Sequence, residues 1–163
     1  AAHLGGGLRE AAAGADALCF GGTKNGMMYG EAVVFNRPGL ARDFKFLRKQ
    51  GAQLASKMRF VGAQFAALLA DDLWLANAAH ANRMARLLAS ELGRLPRVRL
   101  TQAVESNAVF AVLPREHVAA IQEQFFFYVW SEETSEVRLM TSFDTTEEDV
   151  RELVKVIEKA AQN

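Results

Sequence analysis

Cys19-Phe20-Gly21-Gly22-Thr23-Lys24-Asn25-Gly26-Met27-Met28 sets one lysine among three glycines, directly after an apolar run. Ala17-Leu18-Cys19-Phe20, bounded by glycine, reads as a buried strand, and Ala32-Val33-Val34-Phe35 reads as a second. Lys24 then falls in the connection between two core strands. Gly21, Gly22 and Gly26 open backbone angles closed to other residues and let a ligand approach the main chain. A lysine held in low dielectric gives up its proton more easily, and the free amine attacks carbonyl carbon to form a Schiff base. The same residues also read as a hairpin-like turn with a solvated lysine.

Composition narrows the classes. With 163 residues and 50% hydrophobic content the chain can bury a core. Lys+Arg and Asp+Glu both total 19, so there is no basic excess of the kind that nucleic acid or an anionic membrane demands. The single cysteine, Cys19, rules out an internal disulfide and, inside an apolar run, reads as a buried hydrophobe. No apolar run approaches the roughly 18 residues of a membrane span, and no signal-peptide pattern opens the chain. The expectation is a cytoplasmic protein with no nucleic-acid or membrane partner. No His/Cys spacing suggests a metal site.

Periodicity supplies the remaining elements. Gly5-Gly6-Gly7 makes a flexible joint, and Leu8 to Ala13 has room for only a turn or two of helix. Pro38 suits the entry to a helix carrying Leu40, Phe44 and Leu47. Residues 53–69 read as an Ala-rich helix, apolar on most of its circumference and therefore buried or interfacial. Asp71 and Asp72 suit the cap of a third helix running to about Leu92, ended by Gly93 and Pro96. Strands are then expected at 97–101, 107–113, 125–130 and 136–141, with a helix over 114–124. A last helix opens at 144–148, Thr145 and Glu148 forming its capping box, and carries the stripe Val150, Leu153, Val154, Ile157.

Several blocks in order resemble the low-specificity threonine aldolases of the β-eliminating lyase group. They are Phe20-Gly-Gly-Thr-Lys-Asn-Gly26, Glu31-Ala-Val-Val-Phe35, Gln53-Leu-Ala-Ser-Lys-Met-Arg-Phe60, Asp71-Asp-Leu-Trp-Leu75, Asn77-Ala-Ala-His-Ala-Asn82, Glu105-Ser-Asn-Ala-Val-Phe110 and Val137-Arg-Leu-Met-Thr-Ser-Phe-Asp144. Those are pyridoxal-phosphate (PLP) enzymes of the aspartate-aminotransferase fold type. The resemblance implies an α/β chain comprising the end of a large PLP-binding domain, residues 1–93, and a small α/β or α+β domain, residues 94–163. It implies PLP as cofactor, an amino acid as substrate and a homo-oligomer, dimer or tetramer.

By position, the resemblance makes Lys24 the Schiff-base lysine and turns Lys49 and Arg59 toward the cofactor phosphate, solvated helix ends being the other reading of such basic residues; Thr23, beside the lysine, has a hydroxyl able to bond the phosphate or the substrate, or else serves the turn. Arg138 is the residue that binds the substrate carboxylate. It stands in an apolar strand, so its charge needs a partner, and Glu136 is the alternative one. The implied reaction cleaves threonine or allo-threonine to glycine and acetaldehyde. Phenylserine cleavage, β-elimination and a non-catalytic interaction domain are the alternatives. The family's His-x-Asp-Gly-Ala-Arg segment is matched only by His3-Leu4, with Gly5 where the aspartate that pairs with the pyridine nitrogen should stand. His80, on a largely apolar helix face, reads as a packing residue, and His117 has no partner in view. Residues 125–130 read as a strand with core on one side and cover on the other, not as a stacking platform.

Overall fold

The computed structural model describes residues 1–162, with the backbone alone described for the last two of them. The chain forms two compact units, Ala1–Asn77 and Ala78–Asn163.

In the N-terminal unit, a short helix α1 (Leu8–Ala11) precedes strands β1 (Ala17–Gly21) and β2 (Glu31–Phe35). The two strands pair antiparallel from Ala17↔Phe35 to Gly21↔Glu31. They make a two-stranded ribbon and not a pair of buried core strands, with alternate residues of β1 exposed. The buried-strand reading is corrected by this. Cys19, expected inside, is exposed. Phe20 packs on Phe65 at 5.9 Å, and Phe35 on Phe44 at 4.9 Å.

Helices α2 (Phe44–Gln50) and α3 (Arg59–Leu69) are both shorter than their periodicity suggests. Residues 53–58 are not helical, because Ala52 and Lys57 adopt positive φ, 55° and 59°, which a right-handed helix cannot accommodate. Of α3, only Val61 and Leu68 are buried, while Phe60 and Leu69 stay exposed. Asp71 and Asp72, at φ 49° and 56°, form the left-handed corner between α3 and α4 (Leu73–Leu92). Aspartate tolerates that region better than most residues.

The C-terminal unit is built on a four-stranded antiparallel sheet of order β3-β4-β6-β5: β3 (Arg99–Leu100), β4 (Ala108–Val112), β5 (Tyr128–Ser131) and β6 (Glu136–Met140). The core joins Val109 and Ala111 of β4 and Val137 and Leu139 of β6 to three helices. From α4 come Met84, Ala85, Leu88, Ala89 and Leu92; from α5 (Arg115–Gln122), Val118 and Ile121; from α6 (Glu147–Gln162), Val150 and Ile157. The period of two in each strand sends the alternate residues Phe110, Arg138, Tyr128 and Trp130 to the opposite face. Strand β5 starts later than expected, at Tyr128, and Phe127 enters the core from the preceding loop.

The cap of α6 is shifted by one residue from the Thr145–Glu148 box. The Thr146 hydroxyl donates to the Asp149 carboxylate at 2.7 Å, and the Thr146 and Asp149 amides donate to Asp149 Oδ2 and Thr146 Oγ1 at 2.7 and 3.1 Å. Thr145 instead accepts from the Ser142 amide at 2.9 Å.

Candidate active site

Lys24 lies in a 3-10 turn, Thr23–Asn25, between β1 and β2. Main-chain hydrogen bonds, two glycines and a side-chain clamp hold that turn. The Gly22 carbonyl accepts from the amides of Asn25 and Met27 at 2.9 and 3.1 Å, and the Gly22 amide donates to the Gly30 carbonyl at 3.2 Å. Gly22 itself is pressed so close to the buried Met27 that a Cβ there would overlap the Met27 sulfur. Gly26 closes the turn at φ 107°, a conformation open mainly to glycine.

The side-chain clamp was missed by sequence reading. Asn77 Nδ2 donates to the Asn25 carbonyl at 2.8 Å, and Asn25 Nδ2 donates to the Trp74 carbonyl at 3.2 Å. The first turns of α4 thus clamp the residue that follows Lys24. Pairs 49 and 52 residues apart leave no local signal. Asn25 Oδ1 is buried without a partner, an acceptor still available.

The Lys24 side chain is exposed. Among the described residues it has no ion pair, so its amine is open to a carbonyl compound. The desolvated setting inferred for it from the strand reading is not what the structure shows. Thr23, also exposed, lines the edge of a groove of about 1090 Å³ together with Tyr29, Phe35, Arg48, Met58 and Phe65. Lys49 lies in the last turn of α2 and Arg59 opens α3. Both are exposed, and neither has an ion-pair partner among the described residues. The Arg59 guanidinium lies over its neighbour Phe60 at 4.7 Å.

Arg138 belongs to the C-terminal unit, at the centre of the sheet face turned away from the core. It pairs in register with Phe110 on one side and Tyr128 on the other. Its half-buried guanidinium lies 4.9 Å from the Trp130 ring centroid and 5.6 Å from that of Tyr128. Among the described residues Arg138 Nε is buried with no hydrogen-bond partner. Glu136, the alternative partner, accepts a hydrogen bond from the Thr101 hydroxyl. The run keeps its expected two sides, Phe127 and Val129 toward the core and Tyr128 and Trp130 on the other face, and it is these last two rings that lie beside the guanidinium. The spacing Tyr128-x-Trp130 marks the two rings in the sequence, but the pairing of β5 with β6 breaks between Val129 and Ser131, so the place of Trp130 does not follow from that spacing alone.

The histidines stay outside this chemistry. His80 Nε2 donates to the Thr145 carbonyl at 2.7 Å, and Nδ1 accepts from Arg83 at 3.2 Å, as a packing histidine would. His117 Nε2 is buried, 3.7 Å from the Glu116 carboxylate. Hydrogen bonds from the backbone and from Arg97 hold that carboxylate below its ordinary value. Among the described residues no cluster of His, Cys, Asp and Glu could hold a metal ion, and no helix is long and apolar enough to cross a membrane.

Comparison with known proteins gives this arrangement a context. The chain is 49% identical over 146 residues to the low specificity L-threonine aldolase of Pseudomonas aeruginosa, covering 89% of this chain and 42% of that protein. It is 46% identical over 144 residues to the low specificity L-threonine aldolase of Pseudomonas sp. strain NCIMB 10558, covering 86% and 41%. The solved structure of Leishmania major threonine aldolase superposes with a TM-score of 0.79 at 31% identity, over 90% of this chain and 43% of that one. The chain therefore spans about two fifths of the length of the relatives it matches, and its fold is that of the corresponding part of a fold-type-I PLP enzyme. The family model for β-eliminating lyases matches residues 1–115, and the chain belongs to that family.

Proposed function

We propose that this chain carries the Schiff-base lysine and the carboxylate-binding arginine of a PLP-dependent aldehyde-lyase that cleaves β-hydroxy-α-amino acids, such as threonine, to glycine and an aldehyde. The observation that carries the reading is Lys24: an exposed amine without an ion pair among the described residues, on a turn fixed by two glycines and clamped through Asn25. The identity to proteins named low specificity L-threonine aldolase supports it.

The residues fit the cofactor. Lys24 supplies the amine for its aldehyde. Lys49 and Arg59, exposed cations without ion pairs among the described residues, suit a phosphate, and Thr23 is a hydroxyl donor beside the lysine. Bound there, PLP supplies an electron sink for the pair released when the Cα–Cβ bond breaks. The chain's own part is positional. Arg138 takes the substrate carboxylate in a bidentate pair and so selects which bond at Cα is presented for cleavage. Lys24 would hold the cofactor through its amine, and the same side chain would be placed to move a proton at the substrate. A homo-oligomer of two or four subunits belongs to the same reading, supported by the exposed Phe60 and Leu69 of α3.

Borohydride reduction of the polypeptide containing this chain, in the presence of PLP, tests the assignment. A pyridoxyl mass confined to the Lys24 peptide is expected, and lost in Lys24→Ala. Absence of any label would favour a partner-binding role, for which Gly5 in the aspartate position is the one supporting observation.

A further inference from the structure

The geometry points to Trp130, with Tyr128, as positioning residues that hold the Arg138 guanidinium flat and without a protein partner, its terminal nitrogens presented to a substrate carboxylate. This rests on the reading of Arg138 as the carboxylate site.

Arg138 sits on the central strand β6, between Phe110 of β4 and Tyr128 of β5. The β5–β6 ladder shifts between Val129 and Ser131, so Trp130 is the extra residue of a bulge. A bulge re-aims the side chain it carries. Here the indole lies over β6: its ring is 4.9 Å from the Arg138 guanidinium and 5.4 Å from the Phe110 ring, which it meets edge-on at 78°. Trp130 thus spans three strands and roofs the arginine.

Two consequences follow. Among the described residues Arg138 Nε is buried without a hydrogen-bond partner, so the guanidinium is not tied to an acceptor of the fold through that atom. Stacking against an aromatic face also fixes the plane of the guanidinium, and a bidentate pair depends on that plane. Thr101 completes the device by donating to Glu136, the one acidic side chain on β6 that shares Arg138's strand face. With Glu136 engaged, the arginine does not satisfy itself internally. Trp130 and Tyr128 are 54% and 56% exposed, a large aromatic surface left uncovered at this spot.

The test uses the polypeptide containing this chain, loaded with PLP, and steady-state kinetics with threonine. Arg138→Met, Trp130→Ala, Trp130→Phe and the Trp130→Ala/Arg138→Met double variant are compared, with thermal unfolding of each. Trp130→Ala is expected to raise KM about tenfold with kcat changed less than about twofold, and Trp130→Phe to restore KM to within about threefold. In the Arg138→Met background, Trp130→Ala should add nothing. Tyr128→Leu, a milder change on the same face, should raise KM about threefold and serves if Trp130→Ala does not fold. A KM unmoved by Trp130→Ala or Tyr128→Leu while Arg138→Met raises it overturns the positioning role and leaves the carboxylate site standing. The same factor from Trp130→Ala in both backgrounds also overturns it, since the tryptophan would then act on folding alone. A KM unmoved by Arg138→Met overturns the carboxylate site and the positioning role together.

Discussion

The two units spend the same kind of sequence differently. The C-terminal unit holds seventeen of the twenty buried hydrophobic residues found among the described residues, all but Ala81 in one contiguous cluster between a sheet face and three helices. The N-terminal unit holds three, Met27, Val61 and Leu68, and carries twelve of the seventeen large hydrophobics left exposed. One unit closes its own core. The other presents the Lys24 turn on a scaffold whose apolar surface is of the kind that marks an interaction site. The lesson is that Lys24 is held by main-chain hydrogen bonds and close glycine packing instead of by a surrounding core.

The strongest way to break this comparison is to separate the units. Residues 73–163, which keep α4 whole, are expected to give a cooperative thermal transition, and residues 1–77 to give none; circular dichroism of the two fragments decides. A cooperative 1–77 fragment would end the contrast.

Next in size is matched truncation. Leu88→Ala removes a fully buried side chain from the cluster and should cost about 2–5 kcal/mol, read from denaturant midpoints. Leu47→Ala, the same chemical change at an exposed site of the N-terminal unit, should fall within about 0.5 kcal/mol of zero.

Asn77→Ala sharpens the contrast from the other side. It removes one hydrogen bond to the Asn25 carbonyl, with an expected cost of about 1 kcal/mol. Hydrogen exchange should quicken at the amides of Asn25 and Met27 while amides of β4 and β6 keep their protection. Uniform quickening would mean that the clamp is not local to the lysine turn.

The smallest effect concerns the C-terminal unit's last helix. Thr146→Ala should cost about 1 kcal/mol by removing the cap hydroxyl. Asp149 is held below its ordinary value first by the Thr146 amide and then by the Thr146 hydroxyl. A lowered folded value means stability present above the unfolded carboxylate value and lost as pH falls through the folded one. Asp149→Asn should therefore flatten the acid end of the stability curve. An unchanged curve would show that the cap carries no pH dependence.

Much of this was legible in the residues. The strand alternation over 108–112 and 136–140 and the stripe Val150, Leu153, Val154, Ile157 gave the C-terminal unit, because a half-buried strand or helix writes its period directly into the chain. The N-terminal unit was read less well. Its apolar runs at β1 and β2 looked like core strands, yet hydrophobicity records only that a surface can be covered. Helix α3 was overextended because alanine and leucine signal helix wherever they stand, whereas the left-handed angles at Ala52 and Lys57 leave no mark in composition.

For the site, sequence by itself determined that Lys24 sits in a glycine-framed turn, that Arg138 sits in an apolar strand, and which family the chain resembles. Those are properties of residue type and order. Tertiary structure alone decided that Asn77 clamps the lysine turn, that Thr101 occupies Glu136, and that a bulge lays Trp130 over Arg138. Each depends on register between segments 35 or more residues apart or on a local break in pairing, and the free energy of such contacts exists only once the segments have met.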